Sequence, residues 1–228
     1  MRSLETREDV RNAGRESKVG ETRPPSSTAG LAHAALTFDD GPDPVWTPRL
    51  LEALRRANAR GTFFVIAPLA LRYPRLIEAT LDAGHGVEFH CSEHLRHTRT
   101  LREKVVTDTR EGLRALRTLG IEPRLWRPPW GKLAPWTGEI SSSFGLELVT
   151  WTADTHDWRG DAAPEMLRRI EPMLGPDSVV LMHDGIGPGA TRTGCEETVA
   201  LVGPLVSRLR SLGCEPAPLS SSEDRAPA

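Results

Sequence analysis

From His33 to Leu219, short apolar runs alternate with longer segments whose hydrophobic residues recur at helical spacing. That rhythm predicts strand-helix repeats, with parallel strands inside and helices outside. Seven runs read as strands: His33 to Asp39, Thr62 to Ala67, Gly86 to His90, Arg124 to Arg127, Leu146 to Thr152, Ser178 to His183 and Cys214 to Leu219. Seven parallel strands come close to a barrel. Thr47 before Pro48 reads as a helix N-cap with proline at the first helical position, ahead of LLEALRRANA. Another helix begins after Thr100 and stops at Gly120, and Pro74 divides residues 68–84 into a short lead-in and a full helix.

The polar positions at the strand ends change the picture most. Asp39 and Asp40 close the first strand, and Gly41-Pro42 turn the chain immediately afterwards. Neighbouring side chains on a strand face opposite ways, so two successive Asp can serve one pocket only if the strand stops there. His90 closes the third strand, Arg127 the fourth, Asp154 follows the fifth, and His183 with Asp184 closes the sixth. In a parallel barrel these C-terminal ends share one face, where such folds carry their active sites.

Composition narrows the classes. With 228 residues and 38% hydrophobic content the chain suits one domain, expected over residues 31–219, with disordered segments at 1–30 and 220–228. Lys and Arg total 29 against 31 Asp and Glu, a net charge of -2 without a basic stripe, so nucleic acid is not an expected partner. Three cysteines without a CxxC argue against a disulfide framework, allow at most one pair, and fit a reducing compartment. The first thirty residues lack an apolar stretch of signal-peptide length. A cytoplasmic product is expected from this start, and a secreted one from a different start. No run reaches the roughly 18 apolar residues of a membrane helix, so no membrane span is expected.

Each candidate residue has a functional and a structural reading. His90 and His94 in HCSEH stand four apart and can face one metal if the chain turns helically after His90; with Asp40 they make a two-His, one-carboxylate set with positions left for water and substrate. Asp39 is either a turn cap or a base beside a metal-activated water. Arg127 is either a structural ion pair or the group that holds Asp39 ionised and oriented. His183 is either a capped core histidine or a general acid, with Asp154 as the carboxylate that would fix its tautomer and raise its pKa. Trp130 and Trp158 are core packing or walls for a sugar ring. Cys91 reads as buried packing, and His97 or His156 as a residue that lines the cleft without reacting.

Taken in order, TFDDGP (37–42), HCSEH (90–94), RPPW (127–130), DTHDW (154–158) and LMHD (181–184) resemble the five motifs of the polysaccharide deacetylase family, also called the NodB homology domain or carbohydrate esterase family 4. The resemblance spans nearly the whole expected domain. It implies an α/β fold, a distorted (β/α) barrel of about seven parallel strands. It implies a divalent metal, usually zinc and sometimes cobalt, held by Asp40, His90 and His94. Asp39 is then the base, Arg127 its partner, His183 the acid and Asp154 the residue that tunes it. The implied reaction is metal-dependent hydrolysis of N-acetyl or O-acetyl groups, and the implied partner is an N-acetylated saccharide or glycan; a monomer is expected. Two positions depart from the family pattern. Cys91 stands where the second motif usually has Ser or Thr, and Trp130 stands where the third often has Tyr, leaving a main-chain N–H to help hold an oxyanion.

Rival readings remain on the residues. HCSEH fits the HxxEH pattern of inverted zinc metalloproteases, with Glu93 as base, although an apolar strand leads straight into it. A two-His, one-Asp set also suits iron and oxygenase chemistry. Within the same fold, hydrolysis of a non-sugar or cyclic amide and a non-catalytic, metal-containing glycan-binding barrel are the alternatives.

Overall fold

The computed structural model describes residues 32–221. The segment expected to be disordered at 1–30 lies outside the described residues, as does 222–228 of the C-terminal one.

Among the described residues, eight strands form one sheet. In chain order they are β1 (Ala32–Asp39), β2 (Thr62–Ile66), β3 (Gly86–Cys91), β4 (Leu125–Trp126), β5 (Glu147–Leu148), β6 (Ala153–Asp154), β7 (Val179–His183) and β8 (Cys214–Pro216). Seven run in the spatial order β5-β4-β3-β2-β1-β7-β6, β8 pairs with the first residues of β1, and every pairing is parallel. Among the described residues β5 and β6 do not pair, so the barrel is open between them.

That opening corrects one expectation. Leu146 to Thr152 was read as a single strand, yet its first part is β5 on one edge of the sheet, and β6, just beyond its end, lies on the other edge. Residues 149–152 span the gap, tied by Val149 N–H to Trp126 O at one side and Thr152 N–H to Val179 O at the other.

Seven α-helices among the described residues cover the sheet: α1 (Trp46–Arg56), α2 (Ala67–Arg72), α3 (Pro74–Asp82), α4 (Arg102–Arg117), α5 (Thr137–Ser143), α6 (Ala163–Ile170) and α7 (Glu196–Ser211). Pro74 divides α2 from α3 as its missing N–H requires. Beyond the end of α4, Gly120 takes the left-handed conformation (φ 74°) that closes the turn. The start of α1 differs from expectation. Asp43, not Thr47, caps it: Asp43 Oδ1 accepts from the N–H groups of Val45 (2.8 Å) and Trp46 (2.9 Å). Thr47 instead donates its hydroxyl to Asp184 Oδ2 at 2.5 Å, beneath the end of β7.

The core lies between sheet and helices. Phe38 of β1 stacks on Phe63 of β2 with ring centroids 4.8 Å apart, and Leu50, Leu54, Leu201 and Leu205 of α1 and α7 are fully buried in the same cluster. Burying each such side chain contributes about 1.5–3 kcal/mol. Cys91, Cys195 and Cys214 are free and buried. No helix among the described residues is long and apolar enough to cross a membrane.

Candidate active site

The register of the parallel strands sets the site. Asp39 of β1 lies level with His183 of β7, and Phe89 of β3 lies level with Trp126 of β4, so His90 and Arg127 follow together on the next step. Asp39, His90 and His183 reach one cleft of about 410 Å³, which is also lined by Asp40, His94, Arg96, Trp130, Trp151, Asp154, Trp158 and Arg192, with Arg127 buried behind Asp39. A wider hollow of about 880 Å³ between α1 and α7 is open surface without a His, Asp or Cys in its lining, so the chemistry sits in the smaller one.

The chain turns sharply after Asp39. Asp40 adopts a left-handed conformation (φ 74°) and the Gly41-Pro42 peptide is cis. Gly41 is required here, because a Cβ would overlap the Asp184 carboxylate; at Gly187 one would overlap Asp40 Oδ2. The turn sends the two carboxylates to different partners. Asp39 Oδ1 accepts from Arg127 Nη1 at 2.9 Å, while Asp40 Oδ1 lies 3.3 Å from His90 Nε2 and 3.1 Å from His94 Nε2.

Asp40, His90 and His94 fit a cation. His90 Nδ1 sits 2.6 Å from the Arg127 carbonyl, to which it must donate, which leaves Nε2 as a lone pair aimed at Asp40 and at His94 Nε2, 3.3 Å away. Three acceptor-capable atoms within 4.8 Å of one another, largely buried, repel unless a positive charge lies among them. Burial would raise the Asp40 carboxyl, but when the imidazoles carry the positive charge in place of a cation their hydrogen bonds outweigh it and hold it well below the usual carboxylate range. The histidines meet through a bent loop and not through the helical turn expected after His90. That loop is held from α4: Asp108 accepts from Ser92 N–H at 3.2 Å and Glu93 N–H at 2.5 Å, and the Ser92 hydroxyl donates to the Asp108 carbonyl. Cys91 is buried in β3 and takes no part in this support.

Arg127 is fully buried. Its Nη1 donates to Thr37 Oγ1 at 2.7 Å as well as to Asp39, its Nη2 donates to the Thr150 carbonyl at 3.2 Å, and its guanidinium lies 4.2 Å above the Phe64 ring. The guanidinium stays charged in this setting, so Asp39 has a fixed cationic neighbour.

The carboxylate behind His183 is Asp157, which corrects the expectation for Asp154. Asp157 Oδ1 lies 2.7 Å from His183 Nδ1, and its Oδ2 accepts from the His183 main-chain N–H at 2.9 Å. Asp154 instead accepts from the His156 N–H at 2.8 Å and lines the cleft. His156 takes a left-handed conformation (φ 54°), and that turn swings the second carboxylate of DTHDW under the histidine. Two Asp three residues apart offered either answer, and the backbone turn that decides between them has no sequence signal beyond the motif itself. Burial pushes His183 down, but Asp157 outweighs it and holds the ring up at about 9; Asp157 is held down at about 2 despite its own burial. Two further partners of Asp157, Arg192 and Thr198, lie in a stretch that carried no readable motif.

Trp130 and Trp158 both line the cleft. The Trp130 edge meets the His94 ring at 4.2 Å, and its φ of 57° turns the backbone at the start of a 3-10 turn, where N–H groups have no partner within the turn. His97 and His156 do not line the cleft; His97 is buried against Trp126 and Trp136, and burial pushes it down to about 4. Glu93, the base of the metalloprotease reading, is exposed and ion-paired with Lys104 at 2.8 Å, and its motif is not helical.

A sequence model of the polysaccharide deacetylase family matches residues 27–149, more than half of the chain. The chain belongs to this family. Among curated proteins it is 32% identical to a peptidoglycan-N-acetylglucosamine deacetylase of Bacillus cereus, over 78% of this chain and 82% of that one. It is also 32% identical to a chitooligosaccharide deacetylase of Bradyrhizobium, over 84% of this chain and 90% of that one. Among solved structures, the family 4 carbohydrate esterase from Streptomyces lividans, in complex with acetate, superposes with a TM-score of 0.73 at 29% identity, covering 83% of this chain and 93% of that one. This polysaccharide deacetylase is thus a hydrolase of the deacetylase class on an open (β/α) barrel.

Proposed function

We propose that this chain removes acetyl groups from N-acetylglucosamine units of a glycan, with Asp39 as base and His183 as acid, and with Asp40, His90 and His94 as the residues that would hold a metal. One observation carries the reading: a carboxylate fixed by a buried guanidinium and an imidazole fixed by a buried carboxylate share one cleft with the Asp-His-His group. The names of the two relatives support a glycan substrate, and Trp130 and Trp158 supply flat apolar walls for its rings. One carboxylate and two imidazoles with open positions suit zinc best, and cobalt next. We propose that a single chain suffices.

The bound metal would polarise the acetyl carbonyl and lower the pKa of a water. Asp39, aimed by Arg127, takes the proton of the attacking water as its oxygen bonds the carbonyl carbon. The Trp130 main-chain N–H is the chain's own candidate donor to the oxygen that becomes negative, a contribution of about 3–4 kcal/mol when well placed. His183 donates its Nε2 proton to the departing nitrogen, while its Nδ1–H stays on Asp157. Water and amide are consumed, and acetate and a free amine leave.

The test is acetate release by metal-depleted protein reloaded with zinc or cobalt, on aryl acetates, chitooligosaccharides and peptidoglycan fragments. Metal-dependent release from the glycans supports the reading. Release from none of them, with metal bound, overturns it in favour of a glycan-binding barrel, and release confined to non-glycan amides moves the substrate to that class.

A further inference from the structure

We propose that Arg192 is a positioning residue for the proton-donating step, holding Asp157 in the geometry that His183 needs and weakening the hold of that carboxylate on the His183 proton. The inference rests on the reading of His183 as acid.

Arg192 lies on the segment between β7 and α7, where Gly185 and residues 187–190 form one wall of the cleft. Its side chain is 4% exposed. Nη1 donates to Asp157 Oδ2 at 2.8 Å and to Thr198 Oγ1 at 2.6 Å, and Nη2 donates to the carbonyls of His183 (3.1 Å) and Gly185 (3.0 Å). Thr198 passes its own hydroxyl proton on to Asp157 Oδ2 at 2.8 Å. Asp157 Oδ2 therefore receives three donors, counting the His183 N–H, and Oδ1 is left for the imidazole alone. The carboxylate can neither rotate nor exchange its oxygens without breaking several charge-assisted bonds.

The chemistry follows from charge. A lone buried carboxylate against an imidazolium would orient the ring but keep its proton too well for an acid that must release it. A guanidinium on the far oxygen offsets part of that negative charge and leaves the orientation intact. The other charged groups facing His183 are Asp39 and Asp40 at the end of β1, so Arg192 is the cation that acts on the side away from the metal ligands. By binding the carbonyls of His183 and Gly185 it also fastens the cleft wall to the acid.

Leaving groups separate this role from a general loss of structure. An acetamide needs a proton on its nitrogen to depart, whereas 4-nitrophenolate does not. With metal content and circular dichroism matched to the parent, Arg192→Gln should lower kcat on an N-acetylated chitooligosaccharide by at least about tenfold more than on 4-nitrophenyl acetate. KM should hold for both, and Arg192→Lys should recover part of the difference. Equal losses on the two substrates, or no loss on the amide, would overturn the inference. His183→Ala in the same assay tests the underlying reading: if it shows no amide-selective loss, the acid assignment itself fails. If it does and Arg192→Gln does not, only the role of Arg192 fails. Should Arg192→Gln not fold, Thr198→Val removes a donor from the same oxygen and decides by the same ratio: an amide-selective loss supports the inference and equal losses overturn it.

Discussion

Asp39 and Asp40 are one peptide bond apart, yet their partners divide them completely. Arg127 engages the first, and the two imidazoles crowd the second. Asp39→Asn keeps the shape of the turn and the metal ligands, so it should retain metal and lose turnover by about 10²- to 10⁴-fold. Asp40→Ala should lose both. Metal analysis beside acetate release reads the two variants, and equal metal loss in both would reverse the assignment. As the proposed acid, His183 would set the alkaline limit. Its ring, held up at about 9, must be protonated to donate, so turnover on an amide should be sustained below that pH and fall as pH rises through about 9. Asp157→Asn removes the charge that raises the ring, so its alkaline limb should move to lower pH. A limb that stays in place would remove Asp157 from this role. At this scale the sequence was legible where spacing constrains geometry, as in His90 and His94, which can meet only if the chain bends between them. It was not legible for Asp154 against Asp157, where a left-handed residue between the two chooses the carboxylate.

Among the elements, α4 does more than cover the sheet. Asp108, on its buried face, caps the loop that carries His94, tying the loop after β3 to the helix that follows it. The usual hydroxyl residue after the first histidine is here Cys91, packed into the strand, so loop support comes from Asp108 and from Ser92 one position on. Asp108→Ala touches no ligand but should weaken metal binding by about 10- to 100-fold, the range for losing a group that orients ligands. Competition with a chromophoric chelator measures this, and unchanged affinity would show that β3 and Trp130 alone place the loop. Strand and helix identities followed from hydrophobic rhythm, and Pro74 and Gly120 marked boundaries because their backbone limits are intrinsic. The split of Leu146 to Thr152 was hidden because an apolar run looks the same whether it continues one strand or crosses a gap. Thr47 likewise had the composition of a cap, and only the nearby Asp184 carboxylate draws its hydroxyl elsewhere.

Over the whole molecule, the Asp-His-His group joins β1 to β3 and the loop after it across the intervening β2, and the His183–Asp157 pair joins β7 to the segment after β6. A ligand bound only by the folded state stabilises it by about 2.7 kcal/mol at a hundredfold excess over Kd. Chelation should therefore lower Tm by ~5–10 °C, with recovery on reloading zinc. An unchanged Tm, with metal loss verified, would mean that the three ligands do not bind it in the folded state. The sequence by itself determined the strand-helix order and the placing of reactive residues at strand ends, since periodicity and intrinsic backbone limits act over a few residues. Only the tertiary structure decided that the barrel stays open between β5 and β6, that Asp157 and not Asp154 backs His183, and that Arg192 and Asp108 hold the site in place. Those choices depend on which groups meet across strands and loops far apart in the chain, where hydrogen-bond partners are selected by proximity in space.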